Sequence, residues 1–529
     1  MAEMPVAGRS FAAAQLTRFA EALRQASGWR RVGLAFVFGL IAALAFPPVG
    51  LFPVLWFCFP ALLFLLQGAP DKRSAFITGW CFAFGYFLVG LYWIAAAMFV
   101  DIRQFWWAVP LAVAGLPAFL AIYYALVTLI VWRIGARGLS GALLLALGWF
   151  LADEARGHLL TGFPWNLEGY VWDLVLPMLQ SASVIGIYGL TLVTLISAAS
   201  MAGLSEASRS ARAAVFFNLA LLTGVAAWGE YRLTHAPLSL ATTDSGANVR
   251  LRVVQPNIDQ SMKWKQDEQE KNFRHLLELS SAPAVKPLNA IIWPETASTF
   301  YLAEDLDHRY ELASRIPAAA TLLTGVIRRD ADESGRLHYY NSLLGFDGAA
   351  HITAQYDKAH LVPFGEYIPF RRILKFSTLA ALGIDFTPGE GPQTLSVFGL
   401  PPFSPLICYE AIFSDEVTDR RNRPQFLLNV TNDGWYGHTA GPYQHYASVR
   451  VRAIEEGLPL VRSANTGISA VIDAYGRVRA HIGLGISGVI DTDLPTFLPP
   501  TFFTHSGELV IWIFFAIYVL VAVLFRRKR

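Results

Sequence analysis

Ile291-Ile292-Trp293-Pro294-Glu295-Thr296 is a short hydrophobic strand that runs straight into a carboxylate. Two later stretches have the same build. Tyr356-Asp357-Lys358-Ala359-His360-Leu361-Val362-Pro363-Phe364-Gly365-Glu366-Tyr367 delivers a lysine at a strand end, and Leu406-Ile407-Cys408-Tyr409-Glu410 delivers a lone thiol after a buried strand. Outward from these three, β-branched and apolar runs lie at 249–254, 290–293, 321–326, 342–346, 405–407, 425–430 and 468–473. Amphipathic helical text stands between them, for example at 267–279 and 443–456. Strands alternating with helices predict an α/β layer structure, and strand ends are where such sheets usually carry their sites.

The chemistry of the three groups is coherent. A thiol becomes a nucleophile when a neighbouring base takes its proton or a cation lowers its pKa. A buried carboxylate can be that base, and an ammonium can stabilise the oxyanion of a tetrahedral intermediate. Each group also has a plainer reading. A free cysteine is usually a small buried hydrophobe, a glutamate after a strand is usually a solvated turn residue, and a single lysine is usually surface. No local spacing rule ties the three together, so the residues alone support only a Cys/Glu/Lys suggestion.

The α/β text fills only part of the chain. Of 529 residues, 54% are hydrophobic and 16% charged, with mean hydropathy +0.41. Soluble domains carry about 25% charged residues, so the balance excludes disorder and a small disulfide scaffold and points to a membrane protein. The net charge of +2 gives no reason to expect a nucleic-acid partner. Cys58, Cys81 and Cys408 form neither a disulfide framework nor a metal pattern, and the first two lie within apolar runs as packing residues.

Membrane-spanning helices need about 20 apolar residues. Runs of that kind are expected at 32–46, 51–66, 75–100, 105–132, 139–152, 178–204, 213–228 and 509–525; the first and fifth are short enough to be re-entrant or tilted. Between 231 and 506 no uninterrupted run is long enough to span. The expected domains are thus 1–31, a lead-in; 32–230, seven helices; 231–506, an extramembrane α/β domain; and 507–529, a last helix with a basic tail. Lys/Arg bias sets the orientation. Arg9, Arg18, Arg24, Arg30 and Arg31 precede the first span, and Lys72, Arg73, Arg133, Arg137, Arg209 and Arg212 follow even-numbered spans. The tail Arg526–Arg529 follows the eighth, whereas the alternate loops hold only Arg103 and Arg156. Both termini are then cytoplasmic and the α/β domain extracytoplasmic. The stretch FAAAQLTRFAEALRQA (11–26) has no cleavage signature and reads as a cytoplasmic lead-in.

WPET around Glu295, YDKAHLVPFGEY around Lys358 and ICYE around Cys408 resemble, in that order, the three active-site blocks of the nitrilase superfamily. QPNIDQSMKW (255–264), LNVTNDGWYG (428–437) and RSANTGISAVID (462–473), with the seven-plus-one span arrangement, resemble its membrane-embedded apolipoprotein N-acyltransferase branch. The resemblance covers nearly the whole chain. It implies a nitrilase-like α-β-β-α sandwich on an eight-helix transmembrane bundle. It also implies Glu295 as general base, Lys358 as oxyanion stabiliser and Cys408 as acylated nucleophile, with Glu366, Tyr409 and Glu410 in support. Trp264 matches a tryptophan on a mobile arm over the site. Trp165 in GFPWNLEGY and Trp435 read equally as lining a lipid route or as headgroup-belt anchors.

The implied reaction moves an acyl chain from a membrane phospholipid, typically phosphatidylethanolamine, to the α-amino group of a lipoprotein's N-terminal S-diacylglyceryl-cysteine. It needs no cofactor or metal, and the resemblance implies a monomer in a bacterial inner membrane with its catalytic domain in the periplasm. Water must be kept from the thioester, and the Trp264 segment and residues 363–369 are the candidate lids. Two alternatives stay open. One is a membrane-tethered nitrilase-type amidase, for which a single anchor would suffice. The other is a transporter or receptor with a soluble sensor domain, although transport sites usually place ionisable residues within the spans.

Overall fold

Alternate residues of the strand at 290–292 face different cores, and that alternation sets the layers. In the computed structural model, which describes residues 11–527 apart from 207, 238, 244, 245, 247, 370 and 372–384, Ile292 shares a core with Val253 and Leu323 of its own sheet. Ile407, Leu428 and Val461 of a second sheet close that core. Ile291 faces the other way, onto Phe273, Leu276 and Leu312 of helices Gln266–Ser281 and Leu306–Arg315. On the second sheet Leu427 faces Val449 and Ala453 of helix Gly441–Glu456. Period-two burial on both sheets therefore produces four layers, helix–sheet–sheet–helix.

The first sheet holds β1 (Arg250–Gln255), β2 (Ala290–Ile292), β3 (Thr321–Ala331), β4 (Leu337–Phe346) and β5 (Ile352–Asp357). The second holds β6 (Phe403–Ile407), β7 (Phe426–Thr431), β8 (Leu460–Ala464), β9 (Ser469–Ile472) and β10 (Val478–Ile482). A last strand, β11 (Gly488–Asp493), returns to the first sheet. The orders are β11-β1-β2-β3-β4-β5 and β10-β9-β8-β7-β6. β1, β2 and β3 run parallel, as do β6, β7 and β8. The ends of β2 and β6 carry Glu295 and Cys408, and β5, on the edge of the first sheet, ends one residue before Lys358.

In the apolar half, four helices among the described residues are long and apolar enough to cross a membrane: Ile102–Ile134, Gly138–His158, Ala182–Ser205 and Arg209–Thr234. Lys72–Gly90 and Tyr92–Phe99 make a fifth if a pair bent by 54° is one span. Phe52–Gln67 and Leu509–Leu524 are apolar but shorter. The run at 32–46 is helical only over Gly28–Ala43, and Pro47 and Pro48, lacking amide hydrogens, do not continue it. The run at 139–152 is instead a 21-residue helix, Gly138–His158. It passes through Asp153 and Arg156 because these pair with each other at 2.7 Å inside the protein. Gly39 and Gly85 let two helices touch at the backbone: a methyl on either would lie within 2.4 Å of the other helix's carbonyl oxygen, at Phe82 or Phe36. Arg9, Lys528 and Arg529 of the orienting charges lie outside the described residues.

Candidate active site

Cys408 occupies a sharp strand-to-turn corner. It follows β6, has φ 52°, and opens the 3-10 turn Cys408–Ile412. A non-glycine residue in that region is held there at a cost, and such corners lift a side chain out of the sheet edge. Glu410 fixes the corner. Its carboxylate accepts from the amides of Ile407 (2.7 Å) and Ala359 (2.7 Å) and from the Tyr356 hydroxyl (2.7 Å), so it locks the thiol corner to the segment that carries Lys358. Beneath the corner, Tyr409 donates from its hydroxyl to the Gly162 carbonyl at 2.9 Å, and a His360 ring nitrogen lies 2.8 Å from the Thr161 carbonyl. The corner thus sits on the 159–166 loop of the helical half.

Glu295 and Lys358 meet behind the thiol. The Lys358 ammonium is 2.8 Å from Glu366 and 3.8 Å from Glu295, and all three residues are buried. Asn341 on β4 donates its side-chain amide hydrogens to both carboxylates, at 2.8 Å each, and its backbone carbonyl accepts from the Lys358 backbone amide. Glu366 also accepts from the Val362 amide. Gly325 on β3 makes room for Glu295: a methyl there would stand 2.5 Å from the Glu295 Cα. Around the thiol stand Thr431 and Tyr436, and His445 reaches the Cys408 carbonyl at 3.2 Å while paired with Asp433 at 2.8 Å.

The electrostatics give the groups distinct parts. Burial, reinforced by the Glu295 charge and opposed by Lys358, pushes the Cys408 thiol up to about 12. A thiol raised in this way would need a base in order to act as a nucleophile. Burial would lower the Lys358 ammonium, but Glu366 and then Glu295 outweigh it and hold the lysine firmly charged. Glu295 Oε2 has no hydrogen-bond partner and is open to a proton. A neutral thiol, a carboxylate with an open oxygen and a fixed ammonium are groups that nucleophilic acyl transfer can use.

The tryptophans sit less directly. Trp165 is 2% exposed, donates to Gln444 at 2.8 Å, and packs under Tyr436 and His445 at 5.9 and 5.7 Å. Trp435 is half-buried, and its neighbour Tyr436 is the residue that meets the thiol. Trp264 lines a cavity of about 550 Å³ with Thr299, Phe300, Tyr301 and Arg329. Its neighbour Lys263 is the one that reaches the site, donating to the Glu295 backbone carbonyl at 3.3 Å. Lys263, Asn341, Tyr436 and His445 are site residues that the sequence reading passed over. Lys263 and Tyr436 lay one position from residues it did select, whereas Asn341 and His445 carried no signal. Elsewhere, Glu154, His158 and Glu508 bring one ligand atom each within 4.8 Å of one another, a group with metal-binding chemistry that shares no residue with the thiol site.

The family comparisons fall on both halves of this architecture. Residues 38–200 match the apolipoprotein N-acyltransferase N-terminal domain, and residues 250–496 match the carbon-nitrogen hydrolase family. Among curated relatives, the apolipoprotein N-acyltransferase of Rhodopseudomonas palustris is 40% identical over 97% of this chain and 98% of its own length. That of Bradyrhizobium diazoefficiens is 40% identical over 96% and 97%, and that of Brucella suis 39% over 91% and 93%. Agreement at this level from end to end, through the helices as well as the thiol domain, means that the chain belongs to the apolipoprotein N-acyltransferase family of the nitrilase superfamily.

Proposed function

We propose that Cys408 carries an acyl group from a membrane phospholipid, as a thioester, to the α-amino group of an N-terminal S-diacylglyceryl-cysteine. The observation that carries this reading is the seat of the thiol corner on the helical half, through Tyr409 to Gly162 and His360 to Thr161. A thiol held at the foot of apolar helices can meet two lipid-anchored substrates without drawing an acyl chain into water, which costs about 0.8 kcal/mol per CH₂.

In the first step Glu295 takes the Cys408 proton and the sulfur attacks the ester carbonyl. The tetrahedral oxyanion is stabilised by Lys358. The C–O bond then breaks, Glu295 returns the proton to the leaving alkoxide, and a lysophospholipid departs. In the second step the acceptor amine, deprotonated by Glu295, attacks the thioester. The C–S bond breaks and the proton returns to the thiolate, giving the amide and free Cys408. Glu366 holds Lys358, and Glu410 and Tyr409 hold the corner.

The same reading extends to the setting. It takes eight spans, both termini in the cytoplasm, residues 231–506 in the periplasm above a bacterial inner membrane, phosphatidylethanolamine as donor and a monomeric enzyme. The domain limits 1–31, 32–230, 231–506 and 507–529 go with it. The loop charges support the orientation, and the ranges 38–200 and 250–496 fall inside two of the domains. The segment bearing Trp264 and residues 363–369 are assigned to covering the thioester. Trp165 and Trp435 are assigned to the lipid side.

Mass spectrometry of Cys408 after incubation with phospholipid alone tests the central step. A mass increase equal to one acyl chain is expected, and its absence overturns the reading. In Cys408→Ser, transfer should fall by more than about 10³-fold, and a fully active variant would refute the nucleophile. Release of ammonia from small amides without any use of phospholipid would favour the amidase instead.

A further inference from the structure

Lys263 has no part in the steps above, yet its position asks for one. It ends the short helix Gln260–Lys263, whose start is capped by the Asp259 side chain and whose Gln260 accepts from Asn432 at 2.7 Å. The side chain is 1% exposed, and the ammonium donates to one backbone carbonyl, that of Glu295. Among the described residues no carboxylate lies within 4.0 Å of it. A buried ammonium with a single neutral acceptor costs several kcal/mol unless another charge compensates.

The compensation lies in the charge count of the site. Glu295 and Glu366 are two buried carboxylates, and Lys358 is one ammonium. Left so, the cluster carries one net negative charge in a low-dielectric interior, which favours protonation of a carboxylate. Glu366 has both oxygens engaged, by Asn341 and by Val362, whereas Glu295 Oε2 is open. Glu295 would take that proton and could not then accept one from Cys408. A second cation behind Glu295 brings the count to zero. The groups facing Glu295 are Lys358 from beyond β5, Asn341 from β4, Cys408 from the β6 corner, Tyr436 from the turn after β7 and Lys263 from its own short helix; of these only the two lysines are cations. Burial pulls the Lys263 ammonium down to about 8, with Glu295 opposing, so its charge is held through neutral pH.

We infer that Lys263 is a positioning residue that keeps Glu295 ionised, and therefore basic, through a buried ammonium behind it. The inference rests on Glu295 being the base in the proposed mechanism. Its test is the pH profile of acyl-Cys408 formation by the full-length enzyme in phosphatidylethanolamine-containing micelles, from about pH 5 to 9. Lys263→Gln keeps a hydrogen-bond donor and removes the charge. Its acid limb should move up by about one pH unit, so that acylation near the foot of the limb slows by about tenfold. At higher pH the rate should rejoin that of the parent, which also shows that the variant is folded. Lys263→Arg should keep the parent's limb. An unshifted limb in Lys263→Gln overturns the inference, as does an Arg variant shifted like Gln. If Lys263→Gln does not fold, Lys263→Met is read by the same limb and the same rule. A parent that never forms acyl-Cys408 would instead refute the proposed function, whatever Lys263 does.

Discussion

Two clusters of buried charge lie on either side of the junction between the halves, and they are built differently. On the helical side, Arg156 pairs with Asp153 at 2.7 Å and donates to the Tyr124 hydroxyl and to the carbonyls of Phe163 and Trp165. A guanidinium does not give up its proton, and its planar fork is spent on fixed partners. Above the junction, Lys358 stands between Glu366 and Glu295, next to a thiol. Unsatisfied atoms do not distinguish the two, since Asp153 Oδ2 is as unpartnered as Glu295 Oε2. What distinguishes them is the neighbour of the carboxylate. In the lower cluster Asp153 accepts from the Tyr124 hydroxyl at 2.6 Å and is locked to Arg156, so the cluster holds a loop; in the upper cluster the neighbour is the Cys408 thiol, the proposed nucleophile. They are also joined in series, because the loop gripped by Arg156 is the one that receives Tyr409 and His360.

The contrast predicts effects of different size and kind. Glu295→Gln keeps the shape of the upper cluster and removes its proposed base. Acylation of Cys408 should fall by about 10³-fold, with the thermal midpoint nearly unchanged; retained thioester formation would remove Glu295 from the role. Arg156→Met acts the other way. It leaves Asp153 buried without its cation, which should cost about 3–5 kcal/mol of stability, read as a lowered Tm in detergent. Adding Asp153→Asn should recover most of that stability but little of the activity, because the loop carbonyls still lack their donor. If activity returned along with stability, the lower cluster would be a mere support and the series connection would fail.

The unequal legibility of the two clusters has a physical basis. Glu295, Lys358 and Cys408 each stand at a strand end inside a contiguous run of characteristic residues, so one-dimensional text could locate them. Asn341 sits in His338-Tyr339-Tyr340-Asn341-Ser342, ordinary strand text, and joins carboxylates 46 and 25 residues away. Only the fold makes that amide special. The helix 138–158 reads too short because Asp153, Glu154 and Arg156 look like its solvated end, and a pairing that neutralises two of them is a tertiary fact. β5 and β10 fall outside the strand runs because half of β5 and most of β10 are exposed, which removes the alternation. β8 escapes it through buried Arg462, whose charge is matched by Asp433 at 2.7 Å.

The smallest effect is expected at the joint between the clusters. Tyr409→Phe removes one hydroxyl and its bond to the Gly162 carbonyl but keeps the ring packed on Phe413 and His360. One such bond is worth about 1 kcal/mol, and the parallel contact from His360 to Thr161 remains. Acylation should therefore drop only about fivefold at most, with the pH profile unmoved, since no charge near Glu295 has changed. Adding His360→Phe takes away the second tie, and the combined loss should exceed the product of the single losses. Transfer kinetics of the four members of that cycle decide the matter. A Tyr409→Phe loss as deep as that of Glu295→Gln would mean that the hydroxyl takes part in the chemistry, and the division between a cluster that holds and a cluster that reacts would have to be redrawn through Tyr409 itself.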